Sequence, residues 1–591
     1  MDFDEARGNQ VVAATIVDEL YRCGIRLATI SPGSRSTPLA LAFLAHEGIA
    51  CHVILDERSA GYFALGAAKA SGVPAAIVTT SGTAAVELSA AVTEAAYAQV
   101  PLLVLSADRP LELYHTGAPQ TIDQTSLYGG ALLQRRLIDA GSPSSWSRLR
   151  ATVARAVLVA SGMDGASGPV QLNVSFREPL IDGEVTAVVP LQGREDSKAW
   201  YRMVDLADLW EVRDFALELL SSARGLIVVG ESVQHEAVFA ISELLGWPTM
   251  VDPRSGLARR SRYALSYQDA FLRLPEILDG LTPEVVLYFG KPQVSRVLSE
   301  FLAKVADPAL EDAARIYRGG DGAADPEGLA TGLIVGPLER LVAALTEAEL
   351  EGALGVEEDF VSRYLRLDHL CDSEVRSAER EGSLGVEIQS VRSIVGALTS
   401  KDLLYASASM PMRDLEFFSG LHHDYPRVLE NRGANGIDGV IASFAGAALM
   451  HQGVLDGGIA VLVIGDLAFL YDASFLRELI KINRAVLVVV LDNNGGGIFS
   501  FLPQKGSVSS HLFEEAFGTP HEMDIADVVA AYSIPCQRDA KAAEIPHAIA
   551  ALRHSRKVRV MVISSGRDEN LDAHRQINAR IAAAIRFAGQ A

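Results

Sequence analysis

IAVLVIGDLAFLYDASFLRELIKINRAVLVVVLDNNGGGIFS, residues 459–500, decides the fold. It reads as a strand over 459–464, a turn at Gly465-Asp466, a helix over about 473–483, a second strand over 485–491, and a turn at Asn493-Asn494-Gly495-Gly496-Gly497. Unbroken runs of valine, isoleucine and leucine suit strands buried on both faces, as in a parallel sheet. A right-handed crossover brings both turns to one sheet edge, so Asp466 and Asn493, with 26 residues between them, can meet in space. The Asp466 carboxylate, the Asn493 amide oxygen and the Gly495 carbonyl then form a half-cage of hard oxygen ligands. Such a half-cage suits magnesium (or manganese) and leaves the remaining positions for phosphate oxygens and water. Glycine after Asn493 lets the backbone turn sharply and approach a phosphate closely.

The same rhythm of apolar run, glycine-rich turn and alanine- or leucine-rich helix fills three stretches of the 591 residues. The first, about 8–183, holds strand candidates IRLATI, CHVILD, AAIVTT, PLLVLSA and PVQLNV; the second, about 200–350, holds GLIVVG, TMVDP and VVLYFG. The third, about 385–591, adds LLYASAS and VRVMVIS to the two strands above. We therefore expect an α/β protein of three doubly wound parallel-sheet domains, over 1–183, 199–350 and 385–591. Leu180–Lys198 reads as a linker, and the acidic run 346–360 as a solvated helix or connector. Ligands of such folds bind beyond the carboxyl ends of strands.

Composition narrows the function classes. Fifty-two basic against 74 acidic residues give a net charge of −22, which argues against a nucleic-acid binder, since a phosphate backbone demands a basic surface. Cys23, Cys51, Cys371 and Cys536 lie far apart without a CxxC pair, so neither a disulfide framework nor a zinc site is expected. The N-terminus is acidic and polar, unlike a signal peptide, and no apolar run approaches the ~20 residues of a membrane span. A cytoplasmic protein with no membrane insertion is the expectation. His422-His423-Asp424 reads as a solvated loop, because adjacent histidines on an irregular segment point apart.

Several arginines stand in turns or at strand ends: Arg35 in SPGSRSTPL, Arg109 in LSADRPLEL, Arg413 in SASMPMRD and Arg432 in ENRGANGIDG. A guanidinium grips a carboxylate through two parallel hydrogen bonds, so this set suits a substrate or substrates carrying several carboxylates. Glu57, in CHVILDERSAGYFALG, follows a strand and opens a small-residue helix. A carboxyl there can face a buried cleft.

GDL followed by NNGG resembles the thiamine-diphosphate signature, with Leu467 where glycine is usual. Together with the DERSAGYFALG, SPGSR, ADRP, GAPQTIDQ and GANGIDG motifs, it resembles the 2-succinyl-5-enolpyruvyl-6-hydroxy-3-cyclohexene-1-carboxylate synthases of menaquinone biosynthesis. The resemblance is dense in the first and third stretches and weak in the middle one. It implies thiamine diphosphate and magnesium or manganese as cofactors. Glu57 would lie against N1′ of the aminopyrimidine and favour the 4′-imino tautomer that takes the C2 proton.

By the same resemblance, Ser34, Arg35, Arg109, Gln120, Arg413 and Arg432 would hold 2-oxoglutarate and isochorismate. Ser409, Ile437, Gly465, Leu467, Ile498 and Phe499 would line the cofactor, with Ile437 as the apolar wedge. Active sites would lie between subunits, in a homodimer or a dimer of dimers. The implied reaction decarboxylates 2-oxoglutarate and adds the resulting four-carbon carbanion to isochorismate. Another 2-oxo-acid decarboxylase or an acetolactate-synthase-like carboligase is the alternative. The latter would call for a flavin site in the middle stretch, and GLIVVGESV carries no strong dinucleotide fingerprint. The chain departs from the family at Glu87, where asparagine is common, at ELYH (Glu112–His115), and at Ser295-Arg296, where a basic pair is usual; Lys291 is close by.

Overall fold

The first six strands, β1 (Leu27–Ile30), β2 (Ala50–Val53), β3 (Ala75–Thr79), β4 (Leu102–Asp108), β5 (Gln134–Asp139) and β6 (Pro169–Ser175), pair in parallel in the order β2-β1-β3-β4-β6-β5. A computed structural model describes residues 5–140, 146–163, 165–182, 198–201, 210–231, 235–257, 261–307, 309–319, 328–349, 355–420 and 424–590. Most of the 180–198 linker and both His422 and His423 lie outside the described residues.

A second parallel sheet runs β12-β11-β10-β7-β8-β9. Its strands are β7 (Gly225–Val229), β8 (Thr249–Val251), β9 (Ala264–Leu265), β10 (Val285–Phe289), β11 (Arg315–Gly319) and β12 (Gly332–Ile334). The third sheet runs β14-β13-β15-β16-β18-β17, repeating the order of the first. Its strands are β13 (Leu403–Ala406), β14 (Arg427–Leu429), β15 (Ala460–Gly465), β16 (Val486–Asp492), β17 (Cys536–Gln537) and β18 (Val558–Ser564), all parallel. The expected α/β architecture of three parallel sheets with interleaved helices is present.

The chain packs into two compact units, one of residues 1–205, 431–456 and 468–484, the other of 206–430, 457–467 and 485–591. The first unit holds the β1–β6 sheet around a core that includes Ile16, Phe43, Leu103, Val157 and Leu172. The second holds the other two sheets. Leu287 and Trp247 belong to one buried cluster of the middle sheet, and Val286 and Phe271 to another. Successive strand residues thus enter different clusters, as the two-residue period of a strand requires. Each fully buried leucine or valine contributes roughly 1.5–3 kcal/mol relative to exposure, and the interior strands are apolar throughout.

One element differs from the reading of the sequence. The helix expected over about 473–483 is a series of short turns, Ala473–Phe475, Leu476–Leu479 and Ile480–Ile482, preceded by Asp466–Tyr471. The break falls at Asp472, whose buried carboxylate turns inward to accept a hydrogen bond from the Ala442 amide at 3.0 Å. Arg58 lies 3.5 Å from its other oxygen. A side chain that bonds backbone elsewhere competes with helix continuation. Asn483, in the left-handed region at φ 53°, closes the segment. The acidic run 346–360 includes the end of the helix Leu338–Glu349 and the start of the helix Glu358–Glu381. No helix among the described residues is long and apolar enough to cross a membrane.

Candidate functional site

Within the second unit, β15 and β16 pair with Gly465 opposite Leu491, so their carboxyl ends lie side by side. Asp466 follows the last residue of β15 and is buried; its Oδ1 accepts from the Leu467 amide at 2.7 Å and its Oδ2 from the Gly495 amide at 2.7 Å. Burial pushes its carboxyl above the usual aspartate value, against the pull of those two amides. The Asn493 side chain donates through Nδ2 to Glu387 Oε1 at 3.1 Å, while its Oδ1 is buried without a hydrogen-bond partner. A buried acceptor without a partner is costly in a finished protein and ordinary in a site awaiting a ligand.

Gly495 is at φ 141°, and a Cβ there would lie 2.0 Å from the Gly518 carbonyl oxygen. The Gly496 amide donates to that same oxygen at 2.8 Å. Glycine is therefore demanded at 495 both by conformation and by space. Gly465 donates to Ser407 Oγ at 3.4 Å, and Ile498 and Phe499 stand half-buried in the turn that follows, with Phe499 5.5 Å from the Phe517 ring.

Two neighbours of this turn escaped the sequence reading. Nε2 of His521 lies 3.3 Å from Asp466 Oδ2 and 3.6 Å from Asp492 Oδ1, and the three side chains offer ligand atoms within 4.8 Å of one another. The segment carrying His521 is fixed by Asn494 Oδ1, which accepts from the His521 and Glu522 amides at 3.0 and 2.9 Å. No strand-end rule reaches a histidine placed this way. Glu387, the other neighbour, opens the helix Val386–Ala397, and burial lifts its carboxyl to about 7, with Asp414 adding to the rise. Ser409, at φ 80°, precedes the helix Met410–Phe418, and its carbonyl accepts from Arg413 Nη1 at 2.8 Å. These donors fit a divalent cation with a diphosphate: one buried carboxylate, one orphaned amide oxygen and a glycine turn with no side chains.

In the first unit, Glu57 begins the helix Glu57–Ser71. Asp56 caps it by accepting from the Ser59 amide at 3.2 Å, and Gly72 ends it at φ 71°. Glu57 is half-buried, and burial raises its carboxyl above the usual value, with Asp56 and Glu87 adding to the rise. Glu87, one of the departures from the family pattern, thus acts on the residue singled out as catalytic.

Arg35, Arg109 and Gln120 are brought together. Arg109 Nη2 donates to Gln120 Oε1 at 3.2 Å, and burial followed by the proximity of Arg109 lowers the Arg35 value. Arg35 donates through Nη1 to the Phe176 carbonyl at 2.7 Å and pairs with Glu178 at 2.9 Å. Arg35 Nε and Arg109 Nη1 are buried without hydrogen-bond partners. Unsatisfied guanidinium donors on neighbouring arginines suit an anion. Ser34 is exposed beside them.

Thr80 and Ser81, at the end of β3, also carry buried hydroxyls without partners. Their sequence, TTSG, carries a local signal that the sequence reading missed: a polar cluster directly after an apolar strand marks the edge where ligands bind.

Arg432 and Ile437 lie in a loop of the same unit that Glu94 holds down. Its two oxygens accept from the Gly433 and Ala434 amides at 2.8 and 2.6 Å. Tyr62 donates to Asp438 Oδ2 at 2.7 Å, and Ile437 is 39% exposed. Sequence reasoning missed Glu94 because it sits amid an alanine-rich helix far along the chain from the loop.

The departures in the middle stretch have structural roles. Ser295 caps the helix Arg296–Val305 by accepting from Leu298, and donates to Asp269 Oδ2 at 2.6 Å. Arg296 is largely exposed and pairs with Glu300 at 2.7 Å.

Residues 10–127 match the family described as thiamine pyrophosphate enzyme, N-terminal TPP binding domain. Over nearly its whole length the chain is similar to proteins named 2-succinyl-5-enolpyruvyl-6-hydroxy-3-cyclohexene-1-carboxylate synthase. That of Myxococcus xanthus is 36% identical, with 98% of each chain covered. That of Thermobifida fusca is 37% identical, with 97% of this chain and 99% of the relative covered. That of Listeria monocytogenes is 34% identical, with 97% of each covered. With a buried aspartate and a glycine turn at adjacent strand ends in one unit, a strand-end glutamate in the other, and full-length similarity of this depth, the chain belongs to the 2-succinyl-5-enolpyruvyl-6-hydroxy-3-cyclohexene-1-carboxylate synthase family of thiamine-diphosphate enzymes.

Proposed function

We propose that this protein joins 2-oxoglutarate to isochorismate with release of carbon dioxide, forming 2-succinyl-5-enolpyruvyl-6-hydroxy-3-cyclohexene-1-carboxylate for menaquinone synthesis. The observation that carries the substrate reading is the Arg35–Arg109 pair with two buried, unpartnered N–H groups. Both substrates are polycarboxylates, and neighbouring guanidinium groups supply the donors that such anions require. Gln120, bonded to Arg109, orients that guanidinium; Ser34 lines the same loop edge, and Arg432 adds positive charge from its loop and Arg413 from the first turn of the helix Met410–Phe418, not from the turn its sequence suggested.

When bound, thiamine diphosphate supplies the nucleophilic carbon and electron sink that decarboxylation of a 2-oxo acid requires. Asp466, Asn493 and the Gly495 carbonyl would hold magnesium or manganese against its diphosphate, on the glycine turn 495–497. Gly465, Leu467, Ser409, Ile437, Ile498 and Phe499 would line it. Glu57 would hold a proton against the ring nitrogen of the cofactor's aminopyrimidine, a role that suits a carboxyl whose value burial has raised. The three expected domains, 1–183, 199–350 and 385–591, take the pyrimidine-binding, central and diphosphate-binding roles.

The working molecule is a homodimer or a dimer of dimers, placed in the cytoplasm. Val53 and Leu55, just before Glu57, are 50% and 69% exposed in the single chain, and a second copy would cover them. The test is isochorismate consumption, followed by absorbance, with thiamine diphosphate, magnesium and 2-oxoglutarate present. The proposal expects consumption in the complete mixture and none without 2-oxoglutarate. Intact isochorismate despite a cofactor-induced thermal shift would refute the substrate pair. Glu57→Gln should abolish turnover while preserving that shift, and full activity in the variant would remove Glu57 from its role.

A further inference from the structure

We infer that Glu387 is a positioning residue that turns the Asn493 amide so that its oxygen faces the cation. The inference rests on the reading that Asp466, Asn493 and Gly495 hold the metal. An asparagine amide presents an oxygen on one side and an NH2 group on the other, and only the oxygen can ligate a cation. Nothing in the residue itself selects between the two orientations. Glu387 does so: its Oε1 accepts from Asn493 Nδ2 at 3.1 Å and also from Ser565 Oγ, so that oxygen carries no proton whether or not the carboxyl is ionised, and the NH2 side faces it.

The Glu387 side chain is itself fixed. It is 1% exposed, stands in the first turn of the helix Val386–Ala397, and the same Oε1 accepts from Ser565 Oγ at 2.6 Å. Gly497 leaves room for this orientation, since a Cβ at 497 would lie 2.7 Å from Asn493 Nδ2. The consequence is visible at the other end of the amide, where Oδ1 is buried with no hydrogen-bond partner. Groups that bond the far side of a metal ligand fix its direction, and their loss typically weakens metal binding about 10–100-fold.

The experiment measures Mn2+ affinity in the presence of thiamine diphosphate, from the free-ion signal in electron paramagnetic resonance, with circular dichroism to verify folding. Glu387→Met should raise the Mn2+ Kd by about 10–100-fold. Glu387→Gln should stay within about threefold of the starting protein, because a glutamine oxygen in the place of Oε1 still accepts from both Asn493 Nδ2 and Ser565 Oγ. Unchanged affinity in folded Glu387→Met would overturn the inference, as would Glu387→Gln binding as weakly as Glu387→Met.

Should Glu387→Met not fold, a polarity swap carries the same question. Asn493→Asp sets two buried carboxylates against each other and should lose at least about tenfold in affinity, and adding Glu387→Gln should restore most of it. Absence of that rescue counts against the inference. Asp466→Asn separates the two levels of the argument. Retention of wild-type Mn2+ affinity there would refute the metal site itself. Loss there, with affinity unchanged in Glu387→Met, would refute only the role of Glu387.

Discussion

Replacing Gly66 with alanine should destabilise the protein, although helix propensity alone points the other way. Gly66 lies inside the helix Glu57–Ser71, where alanine is intrinsically better by about 1 kcal/mol. A Cβ at this position would lie 1.7 Å from the Ser443 carbonyl oxygen and 2.5 Å from its carbon, where ordinary contact begins at 3.4 Å. The facing helix, Val440–Met450, has the reciprocal feature: a Cβ on Gly446 would lie 1.9 Å from the Phe63 carbonyl oxygen.

Backbone therefore meets backbone at two points, and no side chain can rotate to make room. The helices would have to part by roughly 1.5 Å, and a gap of even 0.5–1 Å forfeits a quarter to a half of each dispersion contact along the seam. Overpacking that side chains can absorb costs about 1–3 kcal/mol, and here they cannot absorb it. Net of propensity, the loss should be at least about 2 kcal/mol. The assay is urea unfolding followed by circular dichroism, with Gly396→Ala as control; a Cβ at 396 meets nothing within 4 Å. That control should be unchanged or gain up to about 1 kcal/mol. A Gly66→Ala protein as stable as the starting chain, beside a well-behaved control, would refute the reasoning. Because Glu57 opens the same helix, the variant should also lose turnover beyond its loss of folded protein.

Gly495→Ala, strained at φ 141° and blocked by the Gly518 carbonyl, should abolish the thermal shift caused by magnesium and thiamine diphosphate while leaving far-ultraviolet circular dichroism intact; a normal shift would remove the turn from the site. Arg254→Met should cost about 3–5 kcal/mol in urea unfolding, because buried Arg254 bonds Asp252 at 2.9 and 2.6 Å and lies 3.3 Å from Glu430. Wild-type stability there would show that those acids do not depend on it. Burial lifts the Asp368 carboxyl to about 7 despite hydrogen bonds from the Ser266 and Tyr267 amides at 2.8 Å each. Its folded value stands above the unfolded one, so the stability linked to its proton is fully present below about pH 4 and lost as pH rises through 7. Asp368→Asn should flatten that slope and be more stable at pH 8 by at most on the order of 4 kcal/mol; an unchanged slope between pH 4 and 8 would contradict the assignment.

What the sequence discloses depends on where the information resides. β15 and β16 are legible because strands covered on both faces must be apolar throughout, and their ends locate Asp466 and Asn493 at once. The strands missed are β5, β9, β12, β14 and β17 at sheet edges, and β11 beside one. An edge strand such as QRRLID is largely exposed, and its residues need not be apolar. The site divides along the same line. Residue types that a reaction requires at a strand end can be read locally. His521, Glu94 and Glu387 act through backbone or side-chain bonds to partners far along the chain. Glu94 reaches Gly433, and Glu387 reaches Asn493 across 106 positions. A sequence can therefore nominate Asn493 as a ligand but cannot say which way its amide points. That direction is a property of the acceptor behind it, which belongs to a helix distant in sequence and is brought there only by folding.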